Sequence, residues 1–425
     1  MDQATGAIRA HRLDRLRDRV RAEPPTTPIV ATRVTALRDL GRAETLARVL
    51  GGHVVRCGSA AIAIVESRTR LPADLGRLLD LPDPLRPDQP IVCLDTETTG
   101  LGTAAGTLPF LVALGRWQAD EFVVRQLLLP DQPDEPAMLD VLERHIPPDA
   151  QLVSYNGRAF DWPLIVSRYR LHGRPAPDHA AHLDLLGLAR QLWRHRLPDA
   201  RLASVEAGIG GVRRHGDLPG ALIPERYFEW LRGGDAGLFT DVLEHNRQDV
   251  VSLALLLRIL SQDVLPERDG RAAMGAVQPQ DLAGLGRQYA RRGRPDDALA
   301  CFDRALERLP STWRDRDLQN TINADRARAL GRLGRRLEAV SAWEAVALEG
   351  GPMAPVAWIA VAKSLEHVAR DPVAALGAAR RADALAFRSR FLGQPQPQVE
   401  RDLARRLPRL IRTARARSLR AASAA

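Results

Sequence analysis

With 425 residues the chain is too long for a single hydrophobic core, so two or three domains are expected. A 45% share of hydrophobic residues with 27% charged is ordinary for a globular protein, and 4% aromatic residues argues against a nucleic-acid platform built from many stacked rings. The formal charge of +9 hints at a polyanionic partner, and it is uneven: residues 1–88 carry +4, residues 89–265 carry −6 and residues 266–425 carry +11.

Three widely separated cysteines, Cys57, Cys93 and Cys301, lack metal-ligand spacing and predict a reducing, cytoplasmic setting. Charges stand in the first twenty residues where a signal peptide needs an apolar core. The longest apolar run, "SLALLLRIL", is too short to span a bilayer and contains Arg258, so no membrane role is expected.

In chain order, Leu13, Leu16 and Val20 predict a helix over 9–21 among six arginines. Residues 52–66 predict a hairpin turning at Gly58-Ser59. A proline-rich stretch then sets a boundary near 88, closing an N-terminal segment of helix and hairpin. From 89 to 265, strands are predicted at 91–95, 110–117, 121–129 and 151–155. The first three follow one another without a helix between them, which favours an antiparallel meander. Helices are predicted at 135–145 and 160–172, from about 184, and near 236–262. The segment 266–425 reads as helical throughout. Its unit "LAGLGRQYARRGRPDDALACFDRALERLP" places Leu285, Gly286, Tyr289, Gly293, Ala298, Phe302, Ala305 and Pro310 at the offsets of a tetratricopeptide repeat, which it resembles. A second unit at 322–349 matches at Gly334, Ala339 and Trp343, and a third near 355–386 matches weakly.

The chemistry concentrates in the acidic middle segment. "IVCLDTETTGL" places Asp95 and Glu97 at the end of a core strand, on one face and about 7 Å apart. Two like charges so placed repel unless a cation or solvent lies between them, and hard divalent ions choose such oxygens. A strand ending in a turn is the ordinary alternative. "LVSYNGRAFDWPLI" brings Asp161 to the end of another strand, where it could simply cap a helix. "LEHNRQDVVSLALLL" puts His245 and Asp249 one helical turn apart, beside a buried stripe of Val250, Leu253, Leu256 and Leu257.

These three motifs resemble those of the DEDD 3′→5′ exonuclease superfamily. The fuller pattern from "LASVEAGIGG" through "GDLPGALIPERYFEWLRGG" to "EHNRQDVVSLALL" resembles the YprB-type ribonuclease-H-like nucleases. The resemblance covers residues 89–262. It implies an α/β fold with a ribonuclease-H-like mixed sheet, followed by the all-α tetratricopeptide-like domain. It also implies that Asp95, Glu97, Asp161 and Asp249 hold two magnesium or manganese ions, with His245 as general base. Asn156 would help hold the terminal nucleotide, and Thr98 and Leu101 could contact it. One departure is visible: only three residues separate His245 from Asp249, the spacing of the superfamily's tyrosine-type rather than its histidine-type members. A surface histidine orienting solvent or phosphate is the alternative role.

Asp184 reads as a helix N-cap and Glu206 as the partner of an arginine. Gly208, Gly210 and Gly211 lack the strand-to-helix context of a phosphate loop. The expected function is a metal-dependent nuclease, a 3′→5′ exonuclease on DNA or RNA. A non-catalytic nucleic-acid-binding scaffold, recruiting protein partners through its repeats, is the alternative. The nuclease reading requires the four acids to meet without being locked to an arginine.

Overall fold

The computed structural model describes residues 41–73, 75–100, 106–214, 216–270, 277–310 and 315–424. The basic helix expected over 9–21, and Leu101, lie outside these residues. Among them a helix, α1 (Gly41–Leu50), precedes the hairpin β1 (His53–Cys57) and β2 (Ala60–Arg70), which turns at Gly58-Ser59 with Gly58 at a left-handed φ of 62°. Next come β3 (Ile91–Thr98), β4 (Pro109–Gln118) and β5 (Glu121–Leu128), then α2 (Glu135–His145), β6 (Gln151–Ser154), α3 (Asp161–Leu171), β7 (Ala181–Asp184) and α4 (Leu185–Leu192). A helical turn over 202–210, α5 (Ile223–Leu231) and the long α6 (Phe239–Ile259) complete this part.

The strands form one mixed seven-stranded sheet in the order β1-β2-β5-β4-β3-β6-β7. The predicted meander β3-β4-β5 is antiparallel, while β6 lies parallel to β3 and β7 parallel to β6. The hairpin pairs with β5 through β2. The sheet therefore runs across residue 88: β2 alternates small and branched side chains on a strand long enough to cover an edge that would otherwise be unpaired.

Helices cover both faces. On β3, Val92 and Leu94 join a core that includes α2, α5 and the first turns of α6, whereas Ile91 and Cys93 join the core under α4 and the rest of α6. The period of two puts Asp95 and Glu97 on the latter face. There α6 approaches the sheet closely over Gly115, which pairs with Cys93: a Cβ at 115 would lie 2.3 Å from Phe122 Cζ and 2.5 Å from Val250 Cγ1.

The last third is all-helical: α7 (Pro279–Arg291), α8 (Pro295–Arg308), α9 (Arg316–Arg332), α10 (Arg336–Glu349), α11 (Ala354–His367), α12 (Pro372–Phe391) and α13 (Pro397–Ala424), each packed against the next in sequence. The core under α6 continues into α7 to α10, while a second core begins at the end of α10 with Val346 and Ala347 and runs through α11 to α13. Helix α7 sits directly on α4, where a Cβ on Gly284 would lie 2.0 Å from the Gln191 carbonyl oxygen. Gln288 Nε2 donates to Gly187 O at 3.1 Å across the same contact. No described helix is long and apolar enough to cross a membrane.

Candidate active site

Four elements bring the acids together. The strand β3 ends with Asp95 and Glu97, and after β6 the chain turns sharply with Asn156 at φ 68°. A Cβ on the next residue, Gly157, would lie 2.5 Å from Ser154 Oγ and 3.1 Å from Asp161 Oδ2, so glycine is what lets the turn close over the start of α3. Asp161 is the first residue of α3 rather than its cap, and one of its oxygens accepts a hydrogen bond from the Thr96 hydroxyl. From α6, Asn246 Nδ2 donates to Asp95 Oδ2 at 2.8 Å. The Asn246 amide is itself positioned by Gln126 Nε2 on β5, which donates to Asn246 Oδ1 at 2.9 Å and to Leu243 O at 2.8 Å.

One turn on from Asn246, Asp249 faces the same end of β3. His245 Nε2 lies 3.9 Å from both Glu97 Oε1 and Asp249 Oδ2. Its Nδ1 is 2.7 Å from Asp217 Oδ1, a geometry that orients the ring with Nε2 toward the carboxylates.

The electrostatics of this cluster are unusual. Burial first, and then the charges of Asp249, Asp161 and Glu97, push the Asp95 carboxyl well above the ordinary range. Glu97 is raised in the same way by burial, Asp249, Asp161 and Asp217. Asp161 is only 6% exposed, and burial raises it to about 6 against the pull of the Thr96 hydrogen bond. Asp249 is also raised by burial, and here Arg214 and His245 oppose the shift.

Arg214, like Asn246 and Asp217, is a residue of the site that sequence reasoning missed. It reaches in from the segment after the 202–210 turn, with Nη2 on Asp249 Oδ1, Nε on Glu206 Oε2 at 2.6 Å and Nη1 on Asp217 Oδ2 at 3.2 Å. Burial disfavours its charge, but the contacts with Glu206 and Asp249 outweigh that and hold it firmly protonated. The sequence reading required four acids free of arginine; here one of the four is paired. The physical reason is that so much negative charge in a water-poor pocket needs a counter-charge, and Arg214 supplies one. The only hint in the sequence was the charge alternation "RRHGD", which has no periodicity to place it.

The remaining expectations fall as follows. Thr98 is buried, and its hydroxyl donates to Gly100 O at 2.6 Å, so its side chain is turned into its own loop. The Asn156 backbone N–H donates to Asp184 Oδ1 at 2.8 Å, leaving its side chain on the wall of a cavity of about 860 Å³ that Arg190, Arg194 and Arg201 also line. Asp184 is the N-cap of α4, accepting from Leu186 N, and Glu206 pairs with an arginine, Arg214.

Among the described residues no three His, Cys, Asp or Glu side chains close on a common point in ligand geometry. The chemistry of the donors nevertheless fits hard divalent ions: three segments present carboxylate oxygens only, at raised pKa, where a cation would favour the ionised forms.

Residues 92–261 match the RNase_H_2 family model, described as RNase_H superfamily. The chain is also 31% identical over 280 residues to "Uncharacterized protein YprB" of Bacillus subtilis (strain 168); the alignment covers 65% of this chain and 65% of that protein. The matched residues run from β3 to the end of α6, so the part of the chain that carries the acids is similar to the RNase_H superfamily.

Proposed function

We propose that this domain is a divalent-cation-dependent 3′→5′ exonuclease. The observation that supports it is the meeting of Asp95, Glu97, Asp161 and Asp249, from three separate stretches of chain, in one place where burial raises every one of their pKa values and repulsion by the other acids adds to the rise at Asp95 and Glu97. In this reading the four acids hold two magnesium or manganese ions. Bound there, the ions supply Lewis-acid stabilisation of the phosphoryl oxygens and lower the pKa of the attacking water. Asp95, Glu97, Asp161 and Asp249 would hold the ions, Asp249 through Oδ2, since its Oδ1 accepts from Arg214. Asn246 keeps the Asp95 carboxylate in its rotamer.

His245 Nε2 takes the proton of the attacking water, and Asp217 holds the ring and balances the charge it gains. The imidazole stands beside two carboxylates at 3.9 Å, close enough to reach a water between them. Asn156 and the arginines around it, Arg190, Arg194 and Arg201, offer donors to the phosphates of the terminal nucleotides. The +11 helical part is read as a tetratricopeptide-like array: Tyr289 and Phe302 are buried between helices, and Gly286 lies against the Phe302 ring. The three free cysteines support a reducing, cytoplasmic compartment.

The test is purified protein with end-labelled single- and double-stranded DNA and RNA, with and without manganese. Stepwise release of mononucleotides that needs the metal and disappears in Asp95→Ala is expected; undiminished hydrolysis by Asp95→Ala sinks the reading. A second reading, a nucleic-acid-binding scaffold without hydrolysis, is favoured by the pairing of Asp249 with Arg214. No thermal stabilisation by manganese at any concentration would select it.

A further inference from the structure

The excess charge of the protein sits in one place. Residues 354–425 hold 14 Arg and Lys against five Asp and Glu, a surplus of +9, which equals the formal charge of the whole chain; residues 1–353 are balanced. Most of the surplus is on α13, and not all of its arginines are structural. Arg406 is buried between Glu366 of α11 and Asp402, and Arg409 also pairs with Glu366, so these two fasten α13 to the array. Arg401, Arg405, Arg412 and Arg415 are exposed, and no ion pair or hydrogen bond joins their side chains to any described residue.

At 3.6 residues per turn these four fall within about 80° of the helix circumference, over about 21 Å of its length. Beside them Gln398, Arg401, Asp402, Arg405, Arg406 and Arg409 line a cavity of about 410 Å³, and Arg370, Arg412 and Arg417 line a second groove against α11 and α12.

We propose that this face of α13 is a second nucleic-acid contact, a track that grips the phosphodiester backbone of the substrate outside the carboxylate pocket. The guanidinium plane donates two parallel hydrogen bonds to a phosphate, and a row of unpaired guanidiniums along one helix face offers such donors one after another. An anionic membrane is the weaker fit: the apolar side chains of the helix, Leu403, Leu410 and Ala414, point inward, and its exposed face between 397 and 417 presents no large apolar residue to lipid. The inference rests on the nuclease reading for the identity of its ligand, but uses none of that site's residues.

The experiment compares the full chain with a variant carrying Arg401→Gln, Arg405→Gln, Arg412→Gln and Arg415→Gln. A control carries Arg48→Gln, Arg170→Gln, Arg232→Gln and Arg291→Gln, exposed arginines on other elements. Anisotropy of a labelled single-stranded oligonucleotide is measured against salt in chelator. Each lost phosphate contact lowers the log–log salt slope by about 0.7, so the variant should lose up to about 3 in slope and at least about tenfold in affinity.

The control should lose less than threefold, and hydrolysis of a dinucleotide in manganese should be unchanged in the variant. Equal affinity and slope in variant and wild type overturns the proposal, as does an equal loss in the control. Loss of binding to phosphatidylserine vesicles with oligonucleotide binding intact overturns it in favour of a membrane. A wild type that binds through these arginines yet hydrolyses nothing leaves this inference standing and removes the nuclease reading instead.

Discussion

Asp161 is the acid of the pocket for which the cost of charge can be followed most directly. Its carboxyl moves from 3.8 in the unfolded chain to about 6 in the folded one. Two pH units correspond to about 3 kcal/mol. Because the folded value is raised, the stabilising contribution is that of the neutral acid. It is complete below the unfolded value and lost as pH climbs through about 6. In chelator, urea unfolding of the wild type should therefore lose about 2 kcal/mol from this group alone between about pH 4.5 and pH 8.

Asp161→Asn keeps an oxygen to accept the Thr96 hydrogen bond but cannot ionise. The difference between the two proteins thus reports the group together with the repulsion its charge exerts on Asp95 and Glu97, and the asparagine form should gain on the wild type across that window. Manganese should restore the wild type at pH 8 and leave the variant nearly unmoved. Parallel pH profiles for the two proteins would refute the argument that burial, rather than a neighbour, sets this carboxyl.

Arg214→Gln leaves buried Glu206 and half-buried Asp249 without their counter-charge, which should cost about 3 kcal/mol or more in chelator. The same variant should show a larger manganese-induced rise in Tm than the wild type by differential scanning fluorimetry. Gly115→Ala forces a methyl group into Phe122 and Val250 under α6, so a loss of about 1–3 kcal/mol in urea unfolding is expected, with a weaker manganese response because α6 carries Asn246 and Asp249. Gly284→Ala meets backbone, not a side chain that can rotate away. Limited proteolysis should degrade the helical part of the variant well before that of the wild type, with the part from β1 to α6 surviving.

Local pattern made much of this protein readable. Alternation in "IVCLDTET" marks a core strand whose last two odd positions are acids, and the stripe Val250, Leu253, Leu257 marks the helix that covers it. The hairpin at Gly58-Ser59, the meander and the run of helices after 277 are all short-range signals, in which each element's period and turn residues lie within a few residues of one another. Asp184 as a cap was legible for the same reason, its acceptor lying two residues from the backbone N–H of Leu186, and Glu206 was legible as an arginine's partner although the sequence did not say which arginine.

What tertiary structure alone decided are the pairings across long separations. Nothing in "AAIAIVESRTR" says that it will extend a sheet begun after residue 90, because an edge strand accepts any neighbour with free backbone groups. Nor does "RRHGD" say which carboxylate its second arginine will meet. That choice is made by the folded pocket, where several acids share too little water and the fixed positive charge of Arg214 meets Glu206, Asp217 and Asp249 at once.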